Sequence, residues 1–311
     1  MNNYLPKVSV ITPTYNRPHL IGRAIRSILN QTYQNFEIIV IDDNLNDETK
    51  EIVNNFRNKR IKHIRNPNRK GSSVARNQGV RESNPNSKYV AFLDDDDEWL
   101  PQFLEKTIGK LEEKKELTGV LPNAQYVLDN GTKVEKNLEE KKCWNTTIGN
   151  GAVLRKSLFT KENIWYDETI IRDEDIDFGI RVFKNHKIEF IPEELWIYHA
   201  GPIGSTLSTN PMPIESINHL FKKHLSYFSI QGNKPLSYFY HYIGKLYSRS
   251  GEIKKGKKLF LMAFLKYPHP VYILYYLFWS FPKFAQNFHS QSLKQKVYKF
   301  YGKFKNKFNQ N

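Results

Sequence analysis

The stretch "KYVAFLDDDDEWLPQFL", residues 88–104, decides the fold class of this chain. Five apolar or aromatic residues, Tyr89 to Leu93, are followed directly by four aspartates, Asp94 to Asp97. A short, continuous apolar run of this kind is typical of a strand that is buried on both faces of a sheet. Four adjacent carboxylates repel one another, so folding them at the end of a buried strand costs free energy unless a positive group neutralises them.

Strands and helices alternate along the chain up to this stretch. Apolar runs at residues 7–15, 36–43, 60–66 and 89–93 predict strands, and the segments 18–31, 46–56 and 71–83 predict helices between them. This alternation predicts an α/β fold with a parallel sheet and right-handed crossovers. Ligands bind such sheets at the carboxyl ends of the strands, where Asp42–Asp43 and Asp94–Asp97 both lie.

The four aspartates have two interpretations. Magnesium sites commonly combine one or two carboxylates with phosphate oxygens of a substrate, which favours a site for a divalent cation. The alternative is that the aspartates cap the next predicted helix, within residues 98–115, and are otherwise solvated. We expect capping for one or two of them, but capping alone does not explain all four at the end of one buried strand.

Charge divides the chain into a neutral body and a basic tail. The formal net charge is +15, and residues 211–311 hold 17 of the 47 Lys and Arg residues but only two of the 32 Asp and Glu residues. The same segment holds 24 of the 43 aromatic residues. We therefore expect a domain at residues 1–210 and a basic, aromatic helical extension at residues 211–311. A basic surface favours anionic partners.

Further signals narrow the class of protein. The single cysteine, Cys143, excludes an intrachain disulfide and fits a reducing compartment. The amino terminus shows no basic region followed by a long apolar run, so we expect no signal peptide. The longest apolar stretch, residues 270–282, is shorter than the roughly 20 residues that a membrane-spanning helix needs. The first loop lacks the glycine pattern of a Rossmann dehydrogenase, and the chain has no P-loop motif.

Five segments of the body resemble family 2 glycosyltransferases. They are "VSVITPTYNR" (8–17), "SILNQTYQNFEIIVIDDNLNDET" (27–49), "GSSVARNQG" (71–79), "YVAFLDDDDEWLP" (89–101) and "RDEDIDFGIRV" (172–182). The resemblance covers residues 7–208 and implies an inverting enzyme of the bacterial surface-polysaccharide type. It also implies the GT-A fold, in which a Rossmann-like, mostly parallel sheet is flanked by helices.

The resemblance assigns contacts with a nucleotide. Pro13 and Tyr15 would line the base, with Tyr15 stacking on it, and Asp43 would accept a hydrogen bond from the base. Leu45 stands where the family commonly has Ser, a departure that leaves the carboxylate of Asp43 in place. Arg76, in the family's Ala-Arg-Asn motif, would lie near the nucleotide.

The resemblance also implies a metal site. Asp94, Asp95 and Asp96 match the family's Asp-X-Asp motif. Asp96 would bind Mg²⁺ or Mn²⁺ directly, and Asp94 and Asp95 would hold the ribose or the water shell of the metal, so that Asp94 serves both nucleotide and metal. A metal that bridges the phosphates stabilises the charge that develops on the leaving group. Asp97 is expected to cap the following helix.

A hydroxyl acceptor must lose its proton as it attacks, and a carboxylate within reach serves as the base. The family's Glu-Asp pair matches Glu174 and Asp175, which implies that Asp175 is the base and that Glu174 lies near the acceptor. The alternation of Asp173, Asp175 and Asp177 leaves another register open, and the helix dipole alone also favours acids in a first turn. His199 stands where the family commonly has Arg, which leaves open either a role at the diphosphate or metal or a packed histidine.

The sequence of the tail predicts helices and binding to a membrane surface. Residues 238–268 predict two amphipathic helices around a Ser-Gly turn, similar to one tetratricopeptide-like hairpin. Lysines interleave with aromatic residues at 293–308, which is typical of a helix at an anionic membrane surface. The alternative is a packed helix followed by a frayed terminus. We expect a cytoplasmic protein that associates peripherally with the inner face of the cell membrane.

The expected function is transfer of a sugar from a nucleotide-diphosphate donor to a hydroxyl group. The resemblance implies a UDP-sugar donor and a glycan or lipid-linked oligosaccharide acceptor. The alternative is a non-catalytic module that binds a nucleotide-sugar or a glycan and carries a membrane-binding tail, which would leave the candidate catalytic acids idle. No nucleic-acid-binding motif accompanies the basic tail, so nucleic acid is not an expected partner.

Overall fold

The structure is a computed structural model that describes residues 7–128, 131–134, 148–200 and 211–280. The chain divides into two compact units, Met1–Pro202 and Ile203–Asn311. The boundary expected between residues 210 and 211 lies at the edge of a stretch outside the described residues, so it stays a prediction. The basic segment 293–308 also lies outside them.

The first unit contains strands and helices in the predicted alternation. Its strands are β1 (Val8–Thr14), β2 (Phe36–Asp42), β3 (Ile61–Arg65), β4 (Tyr89–Phe92), β5 (Glu98–Trp99), β6 (Gly119–Leu128), β7 (Lys133–Val134), β8 (Val153–Arg155) and β9 (Ile188–Ala200). Its helices are α1 (Pro18–Leu29), α2 (Glu48–Asn55), α3 (Ser72–Arg81), α4 (Phe103–Glu113), α5 (Ser157–Thr160) and α6 (Glu174–Asn185).

The described strands form one mixed sheet. Their order is β3-β2-β1-β4-β8-β6-β9-β5, and β7 pairs with β6. Since β1 is parallel to both β2 and β4, and β2 is parallel to β3, these four strands end at the same edge of the sheet. β8 is antiparallel to β4 and to β6, which makes the sheet mixed. The predicted α/β class is confirmed, and both acidic stretches lie at the shared edge.

Both faces of the sheet are buried, which explains the unbroken apolar runs in the sequence. Neighbouring side chains of β1 point to opposite faces. Val10 belongs to a cluster that includes Ile25 of α1, whereas Ile11 belongs to a cluster that includes Ala75 of α3 and Phe178 of α6. Each fully buried aliphatic or Phe side chain of this kind contributes about 1.5–3 kcal/mol to the free energy of unfolding. The two layers of helices thereby fix the strand ends that carry the acids.

Asp97 does not cap the following helix, so that expectation is wrong. Helix α4 begins only at Phe103. The carboxylate of Asp97 instead accepts hydrogen bonds from the backbone N–H of His199, at 2.9 Å, and from the side-chain amide of Asn150. The reason is that β5 follows the aspartates directly and pairs antiparallel with β9, which keeps the chain extended where a helix would have to start.

The described part of the second unit is helical. Its helices are α7 (Ile214–Ile230), α8 (Asn233–Arg249), α9 (Ile253–Lys266) and α10 (Pro270–Phe278). The predicted pair of amphipathic helices around a Ser-Gly turn is confirmed by α8 and α9. These two helices approach closely at glycines, because a Cβ on Gly256 would lie only 2.7 Å from the carbonyl oxygen of Gly244. Of the helices that the structure describes, none has the length and apolar character needed to cross a membrane.

Candidate active site

Two arginine side chains pair with the acidic stretch that follows β4. On α3, Nη2 of Arg76 lies 2.7 Å from Oδ1 of Asp94. Arg17 precedes α1, and its Nη1 lies 3.3 Å from Oδ1 of Asp95 and also bonds the carboxylate of Asp96. These two guanidinium groups supply part of the positive charge that the four carboxylates require, and they contact three of them.

Asp95 ties the end of β1 to the end of β4. It is 3% exposed, and Thr14 Oγ1 donates a hydrogen bond of 2.7 Å to its Oδ2. Burial raises the pKa of Asp95 to about 7, although the charge of Arg17 lowers it. The carboxylate of Asp95 therefore has two structural partners, Thr14 and Arg17.

Three carboxylates of the stretch could hold one metal ion. Oxygen atoms of Asp94, Asp96 and Asp97 all lie within 4.8 Å of one another. Mg²⁺ and Mn²⁺ prefer oxygen ligands, so this donor set fits them. Burial, followed by the charges of Asp96 and Asp94, raises the pKa of Asp97 well above its ordinary value, and a bound cation would relieve that repulsion. The sequence predicts Asp94 and Asp96 as ligands but misses the place of Asp97 in this group.

Arg76 joins the acidic stretch to the first turn of α6. Its two Nη atoms each lie 2.7 Å from a carboxylate oxygen, one of Asp94 and one of Glu174. Glu174 also accepts a hydrogen bond of 2.6 Å from Ser72 Oγ. Burial lowers the pKa of Arg76, but the charges of Asp94 and Glu174 outweigh burial and raise it above its ordinary value. A permanently charged arginine thus connects the predicted nucleotide residues with the predicted catalytic pair.

Asp175 lies in the same turn of α6. Its Oδ1 accepts a hydrogen bond of 2.8 Å from the N–H of Ile176. Burial, together with the charges of Glu174 and Asp173, raises the pKa of Asp175 to about 8. Asp175 packs closely against Gly149, since a Cβ added to Gly149 would lie 2.9 Å from the Cβ of Asp175. A carboxylate whose pKa lies near the working pH is well suited to accept a proton.

The sequence leaves two neighbouring aspartates, Asp173 and Asp177, as alternatives to Asp175 as the base. Asp177 is fully buried, and its Oδ2 lies 2.7 Å from Nη2 of Arg181 one turn later, so it stabilises the helix. Asp173 is the N-cap residue of α6 and has a left-handed φ of 56°. Asp177 thus has a structural partner, and the assignment of Asp175 as the base stays a prediction.

The residues expected to contact the base lie at the carboxyl end of β1. Pro13 lies within β1, in register with Ile41 of β2. Tyr15 is 40% exposed, and the guanidinium carbon of Arg69 lies 4.4 Å from the centroid of its ring. An exposed ring held by a cation presents a flat surface on which a base can stack.

Asp43 organises the loop between β3 and α3. Its carboxylate accepts a hydrogen bond of 2.8 Å from the side chain of Asn66, and bonds of 2.9 Å and 2.8 Å from the N–H groups of Lys70 and Gly71. Its own N–H donates to the carbonyl oxygen of Thr14 at 3.0 Å. The carboxylate is therefore fixed beside the first loop, a role that sequence reasoning missed because these partners lie far away in the chain.

His199 is paired within the fold. Its Nε2 lies 2.7 Å from Oε1 of Glu98, across the pairing of β9 with β5. Of the two alternatives left open by the sequence, this contact favours the packed histidine.

The part of the chain that carries these residues matches a known family. The model for "Glycosyl transferase family 2" matches residues 9–176. The chain is 30% identical over 197 residues to the UDP-Glc:alpha-D-GlcNAc-diphosphoundecaprenol beta-1,3-glucosyltransferase WfgD of Escherichia coli. That alignment covers 61% of this chain and 74% of the E. coli protein.

Solved structures share the fold. TarS of S. aureus (residues 1–349), in complex with UDP-GlcNAc, has a TM-score of 0.59 and 19% identity, over 83% of this chain and 73% of that chain. The mannosyltransferase PcManGT of Pyrobaculum calidifontis, in complex with GDP-Man and Mn²⁺, has a TM-score of 0.54 and 18% identity, over 85% of this chain and 74% of that chain. These neighbours are GT-A glycosyltransferases, so the predicted GT-A fold is confirmed.

Proposed function

The chain belongs to glycosyl transferase family 2, and on that premise we propose that it is an inverting glycosyltransferase. It moves a sugar from a UDP-sugar to a hydroxyl group of a glycan or lipid-linked oligosaccharide in cell-surface polysaccharide synthesis. The observation that carries the proposal is Arg76, which joins Glu174, 98 positions away in the sequence, to Asp94 at the end of β4. Two known proteins support the donor and acceptor classes, since WfgD acts with UDP-Glc on a diphosphoundecaprenol-linked sugar and TarS binds UDP-GlcNAc.

The nucleotide would bind along the ends of β1 and β2. Tyr15 would stack on the base, Pro13 would line it, and Asp43 would accept a hydrogen bond from it. The three bonds that Asp43 accepts from the loop at residues 66–71 occupy both acceptor sites of Oδ2 but only one of Oδ1, so Oδ1 keeps a lone pair for the base. A carboxylate held in this way is preorganised, so little conformational entropy is lost when the base binds.

Asp94 and Asp96 would hold a Mg²⁺ or Mn²⁺ ion, with Asp97 as a third oxygen donor. When bound, the ion would supply positive charge that stabilises the diphosphate as it leaves. The Mn²⁺ bound by PcManGT supports this class of ion. Asp95, whose carboxylate is tied to Thr14, would hold the ribose or the water shell of the ion.

Asp175 would act as the general base. The acceptor oxygen attacks the anomeric carbon from the face opposite the diphosphate, forms the new C–O bond and gives its proton to the Asp175 carboxylate. The bond between the anomeric carbon and the diphosphate breaks, and its electron pair leaves on the diphosphate, so the configuration inverts. Glu174 would orient the acceptor, and its bonds with Arg76 and Ser72 fix its position. A base of this kind contributes about 10²–10⁴-fold to the rate.

The helical unit would bring the enzyme to a lipid-linked acceptor. Along α9, Lys254, Lys258, Leu261 and Leu265 are exposed and recur at intervals of three or four residues, which puts them on one face of the helix. Lysines beside exposed leucines suit the surface of an anionic bilayer, where the leucines enter the interface and the lysines remain at the headgroups. This face supports a peripheral position at the cytoplasmic side of the cell membrane.

A thermal-shift screen of nucleotide-sugars tests the donor class. We expect a UDP-sugar to raise Tm in the presence of Mn²⁺ and to lose this effect with chelator. A ligand present at 100 times its Kd stabilises a protein by about 2.7 kcal/mol, which for this size of chain raises Tm by several degrees. Asp43→Ala should remove the shift, whereas Asp175→Asn should keep it. If no nucleotide-sugar stabilises the protein with either metal, the proposed donor site does not exist.

A further inference from the structure

The guanidinium group of Arg17 contacts two carboxylates of the acidic stretch. Its Nη1 lies 3.3 Å from Oδ1 of Asp95 and donates a hydrogen bond to Oδ2 of Asp96. Asp96 is one of the three residues whose oxygens could hold a metal ion. The positive charge of Arg17 therefore pairs with a carboxylate that is a candidate metal ligand.

The neighbouring arginines are placed differently. The two Nη atoms of Arg76 bond carboxylates on two different elements, and its side chain is only 6% exposed. Arg23 is 32% exposed, donates to the main-chain carbonyl oxygen of Asp96, and pairs with Glu98, which is not one of the candidate metal ligands. The side chain of Arg17 is 27% exposed. Arg17 can therefore leave its carboxylate at a lower cost than Arg76, because it moves from a partly solvated position.

We propose that Arg17 holds the place of the metal ion on Asp96 until the nucleotide arrives, and then binds the diphosphate. The inference rests on the proposed function, because it requires a metal and a diphosphate at this site. A guanidinium and a divalent ion on one carboxylate repel each other, so the entering ion displaces Arg17 from Asp96. The diphosphate brings oxygen atoms that match the planar fork of a guanidinium. Arg17 thus neutralises Asp96 before the metal ion binds, and it neutralises the diphosphate afterwards.

The backbone at Arg17 is anchored, so the side chain alone would move. Asn16 has a left-handed φ of 56°, and its N–H donates to the side chain of Asn44. The Asn44 amide is itself held by hydrogen bonds of 2.7 Å to Asp42 and 2.9 Å to Thr49. The guanidinium of Arg17 therefore stays within reach of the strand ends at which the diphosphate would lie.

Arg17→Ala should change the affinities for metal and nucleotide in opposite directions. Without nucleotide, the variant should bind Mn²⁺ about tenfold more tightly, because a charge-assisted hydrogen bond to Asp96 no longer competes. With Mn²⁺ saturating, it should bind UDP about tenfold more weakly, because a phosphate contact is lost. An arginine that merely supported the fold of the site would weaken both affinities when removed.

The experiment measures Mn²⁺ binding to the full chain by electron paramagnetic resonance, and UDP binding by calorimetry at saturating Mn²⁺. Arg23→Ala is the matched control, since it removes the same charge beside the same residue without touching a carboxylate of the metal group, and both of its affinities should change little. Arg17→Lys keeps the charge and should resemble the unmutated protein for Mn²⁺ alone. Should Arg17→Ala fail to fold by circular dichroism, Arg17→Gln takes its place with the same expectations.

Three outcomes would overturn the inference. If the unmutated protein binds Mn²⁺ and UDP but Arg17→Ala binds Mn²⁺ no more tightly, the inference fails and the proposed function stands. If Arg23→Ala gains as much Mn²⁺ affinity as Arg17→Ala, the gain comes from the loss of any nearby positive charge and not from the contact between Arg17 and Asp96. If the unmutated protein binds neither UDP nor Mn²⁺, the proposed function fails and the inference fails with it.

Discussion

Asp175→Asn separates the catalytic from the structural role of one carboxylate. The Asn side chain has the same size, and its Oδ1 can still accept the hydrogen bond from the N–H of Ile176, but it cannot take a proton. Transfer should fall by about 10²–10⁴-fold. Donor affinity should survive, because the proposed contacts with the donor come from other elements, at the ends of β1, β2 and β4.

The same change should stabilise the fold at neutral and alkaline pH. Folding raises the pKa of Asp175 from 3.8 to about 8, so the folded state holds the extra proton between these values. Stability therefore falls as pH rises through that window, and Asn avoids the loss. The full shift corresponds to about 6 kcal/mol. Because the side chain is partly exposed and solvent screens its charge, we expect Asp175→Asn to add about 1–3 kcal/mol near pH 8 and nothing below about pH 4.

Denaturant-induced unfolding across this pH range, followed by circular dichroism, measures the stability, and release of nucleotide with an acceptor present measures the transfer. Asp177→Asn is the matched control on the same helix. It breaks the ion pair between the buried Asp177 and the partly exposed Arg181, and should lower the free energy of unfolding by about 1–3 kcal/mol while the base remains. Transfer by Asp175→Asn at the unmutated rate, or a gain in stability that is the same at every pH, would contradict the assignment of Asp175 as the base.

The other predictions concern the metal, the base and the tail. Asp96→Asn, or chelator added to the unmutated protein, should abolish transfer with the fold intact, and full activity in either case would exclude the metal assignment. The pH profile of kcat/KM should rise through a midpoint near 8, set by deprotonation of Asp175, and a flat profile there would contradict the base. Gly149→Ala should lower kcat more than donor affinity, because the added Cβ would lie 2.9 Å from the Cβ of Asp175, and unchanged kinetics would show that this packing is not needed. Deletion of residues 290–311 should weaken salt-sensitive binding to anionic vesicles and leave donor hydrolysis unchanged, whereas equal binding of both proteins to vesicles would exclude a membrane role for that segment.

The sequence predicts those features of the fold that depend on local pattern. Strands buried on both faces appear as continuous apolar runs, so the position of β4 can be derived from Tyr89 to Phe92 alone. Parallel strands end at one edge, so the position of Asp43 and Asp94 at the same edge of the sheet follows from the alternation of strands and helices. The first turn of α6 follows from its acids and from the apolar spacing of Phe178 and Val182.

Contacts between distant segments could not be predicted in this way. The partners of the acidic stretch are Arg76, 18 positions earlier, and Arg17, 79 positions before Asp96, and no local pattern connects them. Strand β5 has two residues, too few for a periodic signal, and it is this strand that takes Asp97 away from the following helix. The hydrogen bonds that fix Asp43 come mostly from backbone N–H groups, and the residue type does not reveal which N–H will donate.

The configuration of the product shows whether the acceptor displaces the diphosphate directly. A UDP-α-sugar that stabilises the protein is incubated with a hydroxyl acceptor and Mn²⁺, and the new linkage is assigned by the anomeric proton resonance of the purified product. Direct displacement by an acceptor that Asp175 deprotonates predicts a β-linked product from the unmutated protein and none at a comparable rate from Asp175→Asn. An α-linked product, or the same yield from both proteins, would contradict the proposed mechanism.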